Sequence, residues 1–229
     1  MRALVHACRE RLRGVPFEEP DAVSVRAVQE ALEKISPSHC GFPRRACAAE
    51  GQRARLGGRV AASIASCFSP LPLGGCEAVS SQPVHEDCAG RFKLEIFMLR
   101  QGAQLPVHDH PGMSVVSKLL YGCVRIRKFD WQSDSTVRLV RDQTLSPGDI
   151  ALLFPKREGN LHEITAHEPS AFFDVLTPPY DPSNGRDCTF YSLHAPHGAE
   201  LGRKNIRDDV YSLMPLSSHK SGITKSSED

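Results

Sequence analysis

The sequence has no apolar run of bilayer-spanning length, no Cys-x-x-Cys pair, no repeat of fixed period and almost no net charge. A membrane-crossing helix needs about 20 consecutive apolar residues, so no membrane partner is expected. The formal net charge is +1, too little to create a global field that recruits nucleic acid or a lipid surface. The eight cysteines, at positions 8, 40, 47, 67, 76, 88, 123 and 188, lack the pairing of a zinc ribbon or a thioredoxin-type site. Their irregular spacing, together with a start (MRALVHACRERLRG) that lacks a secretory leader's apolar stretch, points to reduced thiols in the cytoplasm and nucleus. Glu10, Glu18 and Glu19 argue against an organellar transit peptide.

What is present suggests one domain with appendages, since 229 residues exceed the soft unit of about 150 only modestly. Residues 1–42 read as a helical preface. A helix is expected over 2–13, ended by Gly14 and Pro16, and a second is capped by Asp21 and carries Val25, Val28, Leu32 and Ile35 at helical spacing. Residues 43–90 are rich in Arg, Ala, Gly, Ser, Pro and Cys and read as a divergent, disordered segment. Its basic run (Arg44, Arg45, Arg53, Arg55, Arg59) lacks interleaved aromatics, so it reads as solvated rather than nucleic-acid-binding. His85 and Cys88, in the same segment, read as loop residues rather than a second metal site.

From Arg91 short alternating segments follow, separated by Gly and Pro turns, with 91–197 as the barrel and 198–229 as a disordered tail. In FKLEIFML, Phe92, Leu94, Ile96 and Met98 alternate with Lys93, Glu95 and Phe97. YGCVRIRKFDW offers Val124, Ile126 and, off the alternation, Phe129. Further strands are expected over 137–145, 150–155, 162–167 and 170–180. Many short strands with no helix between them imply an all-β sandwich or barrel.

The segment PVHDHPGMSVVSKLLYG, Pro106–Gly122, carries the chemistry. On a strand, residues two apart share a face, so His108 and His110 point into one cavity and Asp109 turns away. Downstream lies GDIALLFPKREGNLH; together the two segments resemble the split motifs of the cupin superfamily, and that resemblance implies Pro155 and Gly159 as the turn residues and His162 as the third ligand. Three imidazoles suit iron, copper, zinc or nickel, and three protein ligands leave open positions, as catalytic metals require. Neutral donors leave the ion its full charge and favour an anionic substrate ligand such as a thiolate, which coordination deprotonates.

This pair of split motifs resembles the cupin superfamily, whose fold is a mainly β, double-stranded β-helix (jelly-roll) barrel, here with N-terminal helices. Many cupins add a glutamate ligand after an interval of three or four residues; Ser114 and Val115 stand there. HDHPGMSVVSKLLYG, FDW, GNLHEI and AFFDVLTPPYDPSNGRDCTFY further resemble the plant cysteine oxidases and their relatives, the animal 2-aminoethanethiol (cysteamine) dioxygenases. The resemblance implies an iron(II) thiol dioxygenase with no organic cofactor. Its partners would be O2 and either the N-terminal cysteine of proteins, such as group-seven ethylene response factors, or cysteamine. The product is a sulfinic acid, and in plants it marks targets for the N-degron pathway in oxygen sensing. His108, His110 and His162 match the family's metal ligands. Asp174 matches an acid that holds a ligand histidine or meets a substrate ammonium, with a rim or surface position as the structural alternative. Tyr180 is expected to flank the mouth or pack in the core. The family's Cys–Tyr pair is spaced by two, whereas Cys188 is followed two residues on by Phe190, so a crosslink to Tyr191 is not expected. A monomer is expected. A zinc or nickel cupin isomerase and an inactive cupin binding module stay open as alternatives.

Overall fold

The computed structural model describes residues 1–12, 22–42, 78–155, 159–194, 210–216 and 223–225. Asp21, Gly14, Pro16 and the arginine run at 44–59 lie outside them. The preface forms α1 (Arg2–Arg11) and α2 (Ala22–Glu33), followed by a 3-10 turn over Pro37–Cys40. Helical spacing aligns Leu4, Cys8 and Leu12 with Val25, Val28, Leu32 and Ile35 in one buried cluster. That cluster rests on Phe92, Leu94, Ile96, Met98, Val116, Phe173 and Val175, the outward faces of three strands.

Twelve strands follow: β1 (Val79–Glu86), β2 (Lys93–Leu99), β3 (Gln104–His108), β4 (Ser114–Tyr121), β5 (Val124–Ser133), β6 (Thr136–Leu145), β7 (Ile150–Leu153), β8 (Leu161–Ala166), β9 (Ser170–Thr177), β10 (Phe190–His194), β11 (Val210–Pro215) and β12 (Ile223–Lys225). One sheet runs β12-β1-β2-β9-β4-β7; the other runs β10-β11-β6-β5-β8-β3 and closes because β10 also pairs with β3. Neighbours are antiparallel except β1 and β12. Between the walls lies an inner cluster that includes Leu99, Leu105, Leu119, Ile126, Ile164 and Phe172.

Three expectations are corrected. The segment 43–90 is not strandless: β1 falls inside it and pairs with β2 along most of its length. Its sequence, VSSQPVHE, hides the strand because only Val79 and Ser81 are buried. His85 therefore sits on a strand beside Arg9, 3.5 Å away, rather than in a loop. The tail beyond 198 is not featureless either, since β11 bridges β10 and β6, and β12 lies along β1. Backbone ladders rather than apolar alternation hold these strands, so periodicity could not find them. Finally, Phe129 leaves the face of Val124 and Ile126 because strand alternation puts it on the other side of β5, whose pairing with β8 runs on without a shift. There it joins a separate cluster with Val107, Val137, Leu161 and Leu213.

Candidate metal centre

His108 is the last residue of β3 and pairs with His162 on β8. His110 lies two residues past the end of β3, so strand alternation is not what aims it. Asn160 does that. Its side-chain oxygen accepts from the His110 backbone N–H at 3.0 Å, and its amide donates to the His110 carbonyl at 2.9 Å. The same amide reaches the Phe154 carbonyl at 3.1 Å, tying the end of β7 to the histidine loop. Asn160 stands beside His162 in the sequence, and nothing in its spacing marks it as a bracket for the other motif.

The three rings converge, with centroids 4.9 Å (His108–His110), 4.4 Å (His108–His162) and 4.9 Å (His110–His162) apart. One donor nitrogen from each lies within 4.8 Å of the others, and all three residues are buried. An imidazole nitrogen bonds a first-row ion at about 2.1 Å, so donors this close suit one shared ion. His108 donates from Nδ1 to the Pro106 carbonyl at 2.9 Å, and His110 from Nδ1 to the Asn160 carbonyl at 3.2 Å. Both bonds leave Nε2 as the lone-pair nitrogen. Burial lowers His108 to a pKa of about 4 and pushes His110 and His162 well down, their mutual repulsion adding to the effect. The imidazoles are therefore neutral at neutral pH, ready to bind without losing a proton. The cluster contains no carboxylate.

Further polar side chains stand on the strands around this cluster. β8 enters β9 through residues 167–169, and Ile164 and Phe172 pack in the same cluster. Two residues further along each strand, His162 and Asp174 occupy the next level of the barrel. Asp174 pairs in register with Glu95 on β2 and Ser117 on β4. It is buried, and its pKa rises to about 8, through desolvation first and the Glu95 charge next, against a Ser117 hydrogen bond that lowers it. Asp174 Oδ1 and His162 Nδ1 are both buried without a hydrogen-bond partner. Glu95 itself pairs with Lys93 at 3.1 Å. Lys128 lies beside His162 in register, its charge lowering that imidazole's pKa, and donates to the Leu152 carbonyl at 2.7 Å. Sequence reading gave no weight to Glu95 or Lys128, because charges at alternating strand positions ordinarily read as solvent-facing.

Tyr180 joins the site from the loop after β9. Its ring is 5.6 Å from His110 and its hydroxyl donates to the Asp109 carbonyl at 2.9 Å. Burial and the adjoining Cys188 thiol push that phenol well above its ordinary range. Phe190 pairs with His108, ring centroids 5.4 Å apart. Tyr191 faces the opposite way, into the cluster around Phe129. Cys188 is half-buried beside the Tyr180 hydroxyl.

A closed mainly β barrel with three converging neutral histidines and an N-terminal helical layer defines a cupin-type metal protein. Residues 75–221 match the PCO_ADO family, to which the chain belongs. Plant cysteine oxidase 1 from Arabidopsis thaliana is 39% identical over 204 residues, covering 83% of this chain and 62% of that protein. The 2-aminoethanethiol dioxygenase of Homo sapiens is 36% identical over 134 residues, 46% of this chain and 49% of that protein. The matches thus span less than two thirds of either relative. Among solved structures, KdgF from Halomonas sp. aligns at 19% identity and TM-score 0.37, over 46% of this chain and 84% of its own. A salicylate 1,2-dioxygenase variant from Pseudoaminobacter salicylatoxidans aligns at 12% identity and TM-score 0.39, over 49% of this chain and 30% of its own.

Proposed function

We propose that this chain is an iron(II)-dependent thiol dioxygenase that converts the N-terminal cysteine of a polypeptide to its sulfinic acid. The observation that carries the reading is the all-imidazole donor set in a chain of this family. Three neutral donors keep the ion's charge undiminished, which favours a thiolate over a neutral ligand. Iron(II) bound there supplies a reduced centre at which thiolate and O2 meet.

The residues do the rest. His108, His110 and His162 would hold the ion, the first two through Nε2 because their Nδ1 atoms bond backbone carbonyls. Asp174, whose Oδ1 is free and which lies level with His162, would accept from His162 Nδ1 once it ionises and so fix that ring's tautomer. Tyr180 and Phe190 cover the His110 and His108 rings and keep water away from the sulfur. Atoms balance without a further reductant: RSH and O2 give RSO2H.

The N-terminal cysteine is the preferred substrate because the plant cysteine oxidase match covers 83% of this chain, against 46% for the animal relative. Cysteamine is the second reading, from the animal relative. Ethylene response factors, a monomeric state and a cytoplasmic and nuclear setting, with oxygen sensing as the outcome, complete the reading. Iron-loaded chain incubated with a Cys-initiated peptide in air should add about 32 mass units to the peptide and none under nitrogen. Absence of that gain with the peptide and with cysteamine would contradict the assignment.

A further inference from the structure

Asp109 stands between two metal ligands and its side chain points away from them. The residues that it holds instead all belong to one segment. Its Oδ1 accepts from the Thr189 backbone N–H at 2.8 Å, and its Oδ2 accepts from the Tyr191 hydroxyl at 3.0 Å. Its own N–H donates to the Thr189 carbonyl at 3.3 Å, and its carbonyl accepts from Tyr180 at 2.9 Å. Thus one residue makes four hydrogen bonds to the stretch 180–191. That stretch carries the two rings that cover the flanking ligands, Tyr180 over His110 and Phe190 over His108. The segment is thus joined to the metal loop at the position between its two histidines, beyond the pairing of Phe190 and Tyr191 with β3.

We propose that Asp109 is a positioning residue that clamps the wall formed by residues 180–191 over the metal, and thereby sets how tightly the thiol substrate is held. The carboxylate suits this task because it accepts two bonds at once, one from a backbone N–H and one from a phenol. The clamp also extends outward. Tyr191 meets the chain's single tryptophan, Trp131, edge-on at 5.7 Å, and Trp131 is exposed. Trp131 emission therefore reports whether Tyr191 is seated on Asp109.

Three variants test this: Asp109→Ala, Asp109→Asn and Tyr191→Phe. The last keeps the ring against Trp131 and removes only the hydroxyl. The first arm titrates each full-length protein with zinc(II), a closed-shell probe of the three histidines, while following Trp131 emission. The wild type should show an emission change on zinc binding. Tyr191→Phe should bind zinc within about threefold of wild type and show little of that change. The second arm rests on the thiol-dioxygenase reading and compares KM with kcat for the Cys-initiated peptide. Asp109→Ala should raise KM about tenfold and Tyr191→Phe about threefold, with kcat changed less. Asp109→Asn, which keeps the acceptor for Thr189, should recover most of the loss. If the wild type oxidises no thiol, the function assignment fails while the emission arm still decides the clamp. Wild-type emission response and wild-type KM in Tyr191→Phe would overturn the proposal. So would loss of zinc affinity in step with activity in Asp109→Asn, since Asp109 would then support only the ligands.

Discussion

Asp174 and His162 each leave a buried polar atom without a partner. A buried polar atom left unpaired costs about 1–3 kcal/mol, which favours pairing of the two with each other. The Asp174 carboxyl, raised to about 8, holds a proton at pH 7, whereas the three imidazoles are neutral and carry no second proton to lose. The sign follows from linkage: between about pH 4 and 8 the metal-free fold binds a proton that the unfolded chain does not, so Asp174 makes stability fall as pH rises through that window. A cation reverses the preference and expels the proton. Titration of metal at pH 7, in buffers of different ionisation enthalpy, should therefore release about one proton per ion in the wild type and close to none in Asp174→Asn. Equal release from both would place the proton elsewhere. At this scale His108, His110 and His162 were legible because two motifs fixed them. Asn160, which aims His110, was not, because its role is a set of backbone contacts 50 positions away.

The helical layer is fastened to the barrel by its apolar cluster and by one buried lysine. Lys118, buried on the outward face of β4, donates to three carbonyls at the end of α2: Glu33 and Ile35 at 2.6 Å and Leu32 at 3.4 Å. It takes the place of the capping that a helix C-terminus needs. Lys118→Met should cost ~1–3 kcal/mol by orphaning those acceptors and should expose α2 to proteolysis and amide exchange before the barrel opens. Unchanged protection of α2 would refute the cap. Within the barrel, Gly122 has φ +87°, and a Cβ there would lie 2.2 Å from Ser170 Oγ and 2.4 Å from the Pro169 carbonyl. Gly122→Ala should therefore cost about 2–5 kcal/mol, combining backbone strain with overpacking, measured by urea unfolding. The helices, with apolar residues at regular spacing, were readable in sequence. β1 and β11 were not, because their pairing is carried by main-chain bonds and few of their side chains are buried; β12 is placed by its main-chain pairing with β1.

In the whole molecule the preface and the barrel share a third tie. Asp87, before β2, accepts from Arg91 at 2.7 Å and from Arg9 of α1 at 3.3 Å. Hydrogen bonding to Arg91, foremost, holds its pKa near 2. A carboxyl depressed in the fold stabilises it above the unfolded value and loses that contribution as pH falls from about 4 towards 2. Acid should release α1 over that window, and Asp87→Asn should flatten the response, as read by circular dichroism. A metal at a hundredfold its dissociation constant should stabilise the fold by about 2.7 kcal/mol, with chelator reversing the gain.

The central claim is that three neutral imidazoles let a thiol and both atoms of dioxygen meet at one centre. Mass spectrometry of a Cys-initiated peptide, incubated with iron-loaded chain under heavy-isotope dioxygen, tests it most directly. The account predicts a gain of about 36 mass units, both oxygens coming from the gas. No gain, or a product carrying oxygen from water, would contradict it.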